Sequence, residues 1–171
     1  MQIRPLTESD VLLFRELRLR ALREEPAAYL RSAADFERQP IDMLRQQLIG
    51  SPENFVLGAF VDGQSIGMVG FRREQAAKIR HVGDIWGMYV APEARSQGIG
   101  KALMIEAIDR ARSLPDLDHI LLGVVESQTS ARRLYAALGF VVYGREPRAV
   151  RIGDRYLDEE LMVLSLTSTG E

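Results

Sequence analysis

The order strand, glycine turn, helix, strand between residues 79 and 125 restricts the fold of this chain more than any other feature. A strand is predicted over residues 79–90, and its run DIWGMYV leads into an amphipathic helix predicted over residues 98–113. The strand-like run HILLGVV follows at residues 119–125. The apolar residues of the helix recur at helical spacing: Ile99, Leu103, Ala107, Ile108 and Ala111. A helix that connects two neighbouring strands of a sheet implies that these strands run parallel.

The other segments alternate between strands and helices in a pattern that also predicts a sheet with helices on it. Further strands are predicted at a short apolar start and at NFVLGAFV, QSIGMVGF, FVVYG and RYLDEELMVLSL. Helices are predicted from Val11 to the breaker Pro26, over residues 41–49 and over residues 131–138. Asp62-Gly63 between two apolar runs is typical of a two-residue antiparallel hairpin. The sequence therefore predicts one α/β domain over residues 1–171, with helices packed on a mixed sheet.

Composition excludes several kinds of function. The 22 basic and 24 acidic residues are mixed along the chain and give a formal charge of −2, so no nucleic acid is expected as a partner. The absence of cysteine excludes thiolate metal sites and a cysteine nucleophile, and His81 and His119 form no ligand motif, so no metal is expected. No apolar run is long enough for a membrane span, and MQIRPLTESD is unlike a signal peptide, so a cytoplasmic protein without membrane contact is expected.

The turn RSQGIGKAL places Gly98 and Gly100 at a helix start. A dinucleotide fingerprint would need glycine in place of Leu103, and a P-loop would need glycine at Arg95 and Ser or Thr at Ala102, so both patterns fail. The first amides of a helix have no intrahelical partner and lie at its positive end, so an anion is a natural occupant. The alternative is that both glycines only shape a tight turn.

Two segments resemble the GNAT superfamily of N-acetyltransferases. Arg95-Ser-Gln-Gly-Ile-Gly100 is similar to its R/Q-x-x-G-x-G/A turn, and Ala131-Arg-Arg-Leu-Tyr-Ala-Ala-Leu-Gly-Phe140 is similar to its A-x-x-L-Y-x-x-x-G-F segment. The order of elements agrees over nearly the whole chain. The resemblance implies an α/β fold with a mixed, mostly antiparallel sheet, a parallel central strand pair and flanking helices. It also implies acetyl-CoA as cosubstrate.

The resemblance further implies which residues hold the coenzyme. The amides of the turn would bind the pyrophosphate, and the preceding strand would pair with the pantetheine arm, with an amide near Met88 polarising the thioester carbonyl. Gln128 stands where the family usually has asparagine; its longer amide would still contact the coenzyme, and it ranks below the glycines as a binding residue. The expected cofactor-binding residues are Met88, Tyr89, Val90, Arg95, Ser96, Gln97, Gly98, Ile99, Gly100, Lys101, Gln128 and Tyr135.

Three side chains are candidates for proton transfer. Tyr135 matches the family's acid for the departing thiolate; the alternative is a tyrosine packed in the core. Asp84 and Glu126 are candidate bases, and each is otherwise an ordinary solvated carboxylate. Alternation along the strand predicts that Asp84 and Met88 share a face. The acidic run Asp158-Glu-Glu160 is expected to be solvated.

The implied function is an N-acetyltransferase that moves an acetyl group to a primary amine by direct attack in a ternary complex. The acceptor is a small-molecule amine or a protein amino group, and the sequence does not choose between them. Residues 25–40 and the turn near Gly153 are expected to shape the acceptor site. The alternative is a catalytically silent acyl-CoA-binding regulatory module, and a homodimer is left open.

Overall fold

The structure is a computed structural model, and it describes residues 1–166. The expectation of one domain over residues 1–171 therefore includes five residues, 167–171, that lie outside the described part. The helices are α1 Val11–Glu24, α2 Ala33–Glu37, α3 Ile41–Gln47, α4 Ile99–Arg112 and α5 Thr129–Ala137. The strands are β1 Gln2–Pro5, β2 Asn54–Val61, β3 Gln64–Arg73, β4 Val82–Val90, β5 His119–Val125, β6 Val141–Ile152 and β7 Arg155–Ser165.

The seven strands form one sheet in the order β1-β2-β3-β4-β5-β7-β6. Strands β4 and β5 are parallel, and the other pairings among the described strands are antiparallel. The β4–β5 register runs only from Val82 opposite His119 to Asp84 opposite Leu121. Beyond that point the two strands diverge toward their carboxyl ends and open a crevice in the middle of the sheet. The predicted fold class, including the parallel central pair, is confirmed.

Helices cover both faces of the sheet and define two cores. Helices α4 and α5 pack on one face, around the fully buried Leu103, Met104 and Ile120. Helices α1 to α3 pack on the other face of β2, β3 and β4, around the fully buried Phe14 and Leu44. We call the two faces of the sheet the α4 face and the α1 face, and the cores on them the α4 core and the α1 core. Each helix stripe buries its apolar side chains against the sheet, as its 3.6-residue spacing predicts.

In three places the observed elements differ from the sequence prediction by more than two residues. Strand β4 begins at Val82, because residues 77–79 form a short 3-10 turn. The short helix α2 lies within the segment 25–40, which was expected to be a loop, and Ser32 caps it by accepting a hydrogen bond from the Asp35 amide. Strand β6 continues to Ile152, well beyond FVVYG, because it pairs with β7 along most of its length.

A bulge at Gly87 changes the side-chain order along β4. Gly87 has a φ of +65°, and the β3–β4 register shifts between Met68 and Gly70. Before the bulge, Ile85 packs in the α4 core and Trp86 packs on the α1 core. After the bulge, Met88 packs against the α4 core and Tyr89 is buried in the α1 core. The extra residue therefore reverses the alternation.

The prediction that Asp84 and Met88 share a face is consequently wrong. Asp84 lies opposite Arg72 on the same face as Trp86, which is the α1 face. Met88 points to the α4 face.

Candidate active site

A cleft of about 750 Å³ lies where β4 and β5 diverge. Its volume is in the range of small-molecule and cofactor sites. The walls come from β4, the turn before α4, β5, the start of α5 and the segment around Tyr29. Eleven of the predicted site residues line it: Met88, Tyr89, Val90, Arg95, Ser96, Gly98, Ile99, Gly100, Lys101, Gln128 and Tyr135.

The amino end of α4 faces this cleft with free amides. The first hydrogen bond of the helix runs from the Ala102 amide to the Gly98 carbonyl, at 3.0 Å, so the amides of Ile99, Gly100 and Lys101 have no partner within the helix. The first turn of α4 contains no acidic residue. Lys101 is exposed and forms no ion pair within residues 1–166. This end of the helix is therefore electropositive and suited to a phosphate group.

Left-handed backbone shapes the turn that precedes α4. Gly98 has a φ of +78°, and Ser96 has a φ of +63°, which is uncommon for a residue with a side chain. Such alternation of backbone conformation turns successive amides toward one side, which is a known anion-binding geometry. At Gly100, a Cβ would come within 3.0 Å of the Met88 Cε.

Arg95 fixes the turn to its surroundings. Its Nε donates to the Val90 carbonyl at 3.0 Å, and its Nη1 lies 2.9 Å from Glu25 Oε1. Much of its charge is thus compensated by Glu25. Gln97 does not line the cleft; its side chain donates to the Glu93 carbonyl at 3.3 Å.

Tyr135 lies on α5 and is only 6% exposed, with its ring 6.1 Å from that of Phe140. Burial raises the pKa of its hydroxyl above the ordinary value, and the nearby Tyr29 adds to the rise. The hydroxyl therefore stays protonated at neutral pH and can only donate a proton there. Gln128, at the start of α5, makes no side-chain hydrogen bond within residues 1–166.

Tyr29 is a residue of the cleft that the sequence did not reveal. Its hydroxyl donates to the Met88 carbonyl at 2.8 Å, directly after the Gly87 bulge. The Arg18 guanidinium lies 4.5 Å from the Tyr29 ring centre, which is cation–π distance. Burial raises the pKa of Tyr29 to about 12. The residue lies in the segment 25–40, so only the general prediction that this segment borders the site pointed to it.

The two candidate bases do not line the cleft, and each is engaged by an arginine. Asp84 lies 3.0 Å from Arg72, and its pKa is raised by burial in spite of that cation. Glu126 lies 2.8 Å from Arg145 and also accepts from the Asp158 amide at 3.2 Å. Their roles as bases stay predictions.

Glu159 is buried, although the run Asp158-Glu-Glu160 was expected to be solvated. It is 8% exposed, while its neighbours Asp158 and Glu160 pair with Arg145 and Arg132. Its carboxylate lies over Gly123, where Oε2 is 3.1 Å from the position that a Cβ would take. The only sequence signal was its place on the same face of β7 as Leu157 and Leu161.

The fold and the cleft define an α/β protein with an anion-accepting helix end between two diverging strands. The model of the Acetyltransferase (GNAT) family matches residues 17–140, and the chain therefore belongs to this family. The resemblance inferred from the two motifs is confirmed.

Individual relatives support the same assignment. Mycothiol acetyltransferase from Salinispora tropica is 28% identical over 137 residues, which are 80% of this chain and 42% of that protein. L-amino acid N-acyltransferase MnaT from Escherichia coli is 34% identical over 85 residues, which are 49% of this chain and 48% of that protein. Each alignment thus spans less than half of the relative's own length.

Solved structures agree with the fold over nearly the whole chain. An acetyltransferase of the GNAT family from Streptococcus pneumoniae has a TM-score of 0.78 at 25% identity, covering 96% of this chain and 98% of that one. A putative acetyltransferase from Salmonella typhimurium, solved with acetyl-CoA, has a TM-score of 0.83 at 22% identity, covering 100% and 96%.

Two further kinds of site are absent from residues 1–166. None of the helices there combines the length and the apolar composition that crossing a bilayer requires. No group of three or more His, Cys, Asp or Glu residues in that part is arranged to hold a metal ion. The two histidine rings lie 5.5 Å apart, because β4 and β5 begin side by side.

Proposed function

We propose that this protein is an acetyl-CoA-dependent N-acetyltransferase that transfers the acetyl group directly to an amine in a ternary complex. The observation that carries the proposal is the free amino end of α4, which opens into a cleft between the diverging ends of β4 and β5. Membership of the GNAT family supports it. Because the chain has no cysteine, it offers no thiol to carry the acetyl group between the two substrates.

The residues of the cleft suit the parts of acetyl-CoA. The pyrophosphate would accept hydrogen bonds from the amides at residues 99–101, assisted by the unpaired charge of Lys101. The pantetheine arm would lie along Met88 to Val90, in the gap that β5 leaves. Tyr29 holds the Met88 carbonyl and so fixes the peptide after the Gly87 bulge, next to the expected thioester.

Tyr135 would protonate the departing thiolate. Its hydroxyl is protonated at neutral pH, as in an ordinary tyrosine, burial raises its pKa further, and the residue lines the cleft. Its buried position also means that the proton need not come from bulk water.

The acceptor is a small-molecule amine or an amino group of a protein. The names of two relatives each mention a small molecule: one is a mycothiol acetyltransferase and the other an L-amino acid N-acyltransferase. Three residues of the segment 25–40, Glu25, Ala28 and Tyr29, line the cleft, so this segment would contribute to acceptor choice. A homodimer stays a prediction, which light scattering tests.

Calorimetric titration with acetyl-CoA, followed by a thiol-release assay, tests the proposal. The acceptor panel contains L-methionine, L-glutamate, L-lysine, spermidine and a synthetic alanyl peptide with a free amino end. We expect acetyl-CoA to bind and at least one amine to release free coenzyme A. Binding without release by any amine supports the silent acyl-CoA-binding module, and absence of binding contradicts both functions.

A further inference from the structure

A buried carboxylate beside the cleft has no partner that compensates its charge. Glu159 is more than nine-tenths buried, and its side chain forms neither a hydrogen bond nor an ion pair within residues 1–166. Glu159 does not itself line the cleft, but its carboxylate lies against Gly123, which lines the cleft and is exposed. The carboxylate oxygens are not among the fully buried side-chain atoms without a hydrogen bond, so they keep some contact with solvent. A mostly buried carboxylate without a cation is costly, which makes one beside a cleft a candidate for a role there.

The neighbours of Glu159 increase its affinity for a proton. Glu146 lies directly opposite it on β6, and Asp84 lies on the same face of β4. Burial, and then the charges of Glu146 and Asp84, raise the pKa of Glu159 above that of an ordinary glutamate. Asp84 is itself paired with Arg72.

The position of Glu159 is on the side from which an acceptor can approach. Strand β5 turns Leu122 and Val124 toward the α4 core, so Gly123 faces the opposite side. The turn at residues 26–28 contacts β5 and β6, and Tyr29, which follows it directly, lines the cleft. The coenzyme would occupy the α4 side through the amides of that helix, which leaves the Gly123 side open for the amine.

We propose that Glu159 is the catalytic base of the transfer: its carboxylate receives a proton from the ammonium group of the acceptor. This inference rests on the proposed N-acetyltransferase function. It also separates Glu159 from the two sequence candidates, because Asp84 and Glu126 each pair with an arginine, whereas Glu159 has no cationic partner within residues 1–166.

The protons balance over the reaction. The ammonium loses one proton to Glu159, and the neutral amine attacks the thioester carbonyl carbon, forming the C–N bond. The C–S bond then breaks, Tyr135 gives its proton to the thiolate, and the second proton of the nitrogen returns to Tyr135 as the amide forms. One proton in total leaves for bulk water when Glu159 is ionised again.

The test compares Glu159→Gln with the wild-type protein and with the matched variants Glu146→Gln and Asp84→Asn. Rates are measured across pH with the best amine of the panel above, and acetyl-CoA affinity is measured by calorimetry. For Glu159→Gln we expect kcat/KM at neutral pH to fall by about a hundredfold to ten-thousandfold, with unchanged acetyl-CoA affinity. In wild type, the rise of the rate with pH should follow the ionisation of Glu159. In the variant this rise should disappear, and the rate should follow the deprotonation of the free amine.

Two further readouts separate a base from a residue that only packs. Glu146→Gln removes a like charge, so it should move the acid limb to lower pH and leave the plateau rate unchanged. Trifluoroethylamine is already neutral at neutral pH, so with this acceptor the defect of Glu159→Gln should largely vanish.

Three results would overturn the assignment. The first is that Glu159→Gln retains a rate within about threefold of wild type and the same acid limb. A true base contributes at least about a hundredfold, so this result would exclude Glu159. Asp84→Asn could remove the limb that Glu159→Gln leaves in place, which would make Asp84 the base. If the wild-type protein binds acetyl-CoA yet releases no thiol with any amine, the proposed function fails and the base assignment fails with it.

Discussion

At the scale of single residues, Tyr135 combines burial with a place on the cleft. Replacing Tyr135 by phenylalanine keeps the ring that packs near Phe140 and removes only the hydroxyl. We expect kcat to fall by about a hundredfold to ten-thousandfold, while acetyl-CoA affinity changes little. Steady-state kinetics together with calorimetric titration measure the two effects separately.

The pH profile distinguishes an acid from a packing residue at this position. The pKa of Tyr135 is raised, so the hydroxyl keeps its proton to higher pH than a solvent-exposed tyrosine. The wild-type rate should therefore fall only at strongly alkaline pH, and the variant should lack this fall. A variant that retains near-full turnover and the same alkaline limb would show that the thiolate is protonated by water.

At the scale of elements, the turn before α4 offers a matched pair of glycines. Gly98 and Gly63 have almost the same backbone, with φ of +78° and +79°, and a Cβ at either position meets no atom within 4 Å. Gly63 lies in the β2–β3 hairpin and does not line the cleft. Alanine at either site should cost about 1 to 2 kcal/mol of unfolding free energy, because an L-residue disfavours this conformation.

Only one of the two variants should change coenzyme binding. We expect Gly98→Ala to lower the affinity for acetyl-CoA by about tenfold or more, since a methyl group would keep the pyrophosphate from the amides. Gly63→Ala should bind acetyl-CoA with the affinity of wild type. Denaturant unfolding and calorimetry are the measurements. Equal, unchanged affinities in both variants would mean that Gly98 serves the turn alone.

Elements with a local signal were predicted well from the sequence. The Asp62-Gly63 hairpin, the α4 crossover and the parallel pair follow from turn residues and hydrophobic periodicity, which depend on neighbours in the chain. The prediction that Asp84 and Met88 share a face was wrong because the bulge at Gly87 inserts one residue between them. A glycine inside a strand often marks a bulge, so the sequence did contain a signal for it. The burial of Glu159 was missed because it arises from β5 and β6, which are distant in sequence.

At the scale of the whole molecule, the helices leave the outer part of the sheet uncovered on one face. Helices α1 to α3 pack mainly on β2 to β4, while β5, β7 and β6 present Gly123, Glu159 and Glu146 beside the cleft. Many other carboxylates pair with arginines; Arg20, for example, joins Glu24 of α1 to Glu93 in the turn before α4. Glu159 and Glu146 thus place two carboxylates without an ion-pair partner within residues 1–166 next to the proposed site, and the buried one has a cost in stability.

That cost predicts a specific dependence of stability on pH. Glu159 has a raised pKa in the folded protein, so the folded state binds more protons than the unfolded state above the ordinary glutamate pKa of about 4.3. The unfolding free energy of the wild-type protein should then decrease, through this group, as pH rises from that value through the folded pKa. Glu159→Gln removes the effect. We expect the variant to match wild type below about pH 4 and to become the more stable protein as pH rises to neutral.

Glu93 provides a control of opposite sign. Its pKa is lowered to about 2 by Arg20, so its ion pair stabilises the folded state above the ordinary glutamate pKa, and this contribution is lost as pH falls toward 2. Glu93→Gln should therefore be less stable than wild type at neutral pH and converge with it in acid. Thermal unfolding of the three proteins without acetyl-CoA, over a series of pH values, gives the two difference curves. If the curve for Glu159→Gln has the same sign as that for Glu93→Gln, then Glu159 has a stabilising partner in solution, and the unpaired buried charge on which its catalytic role depends does not exist.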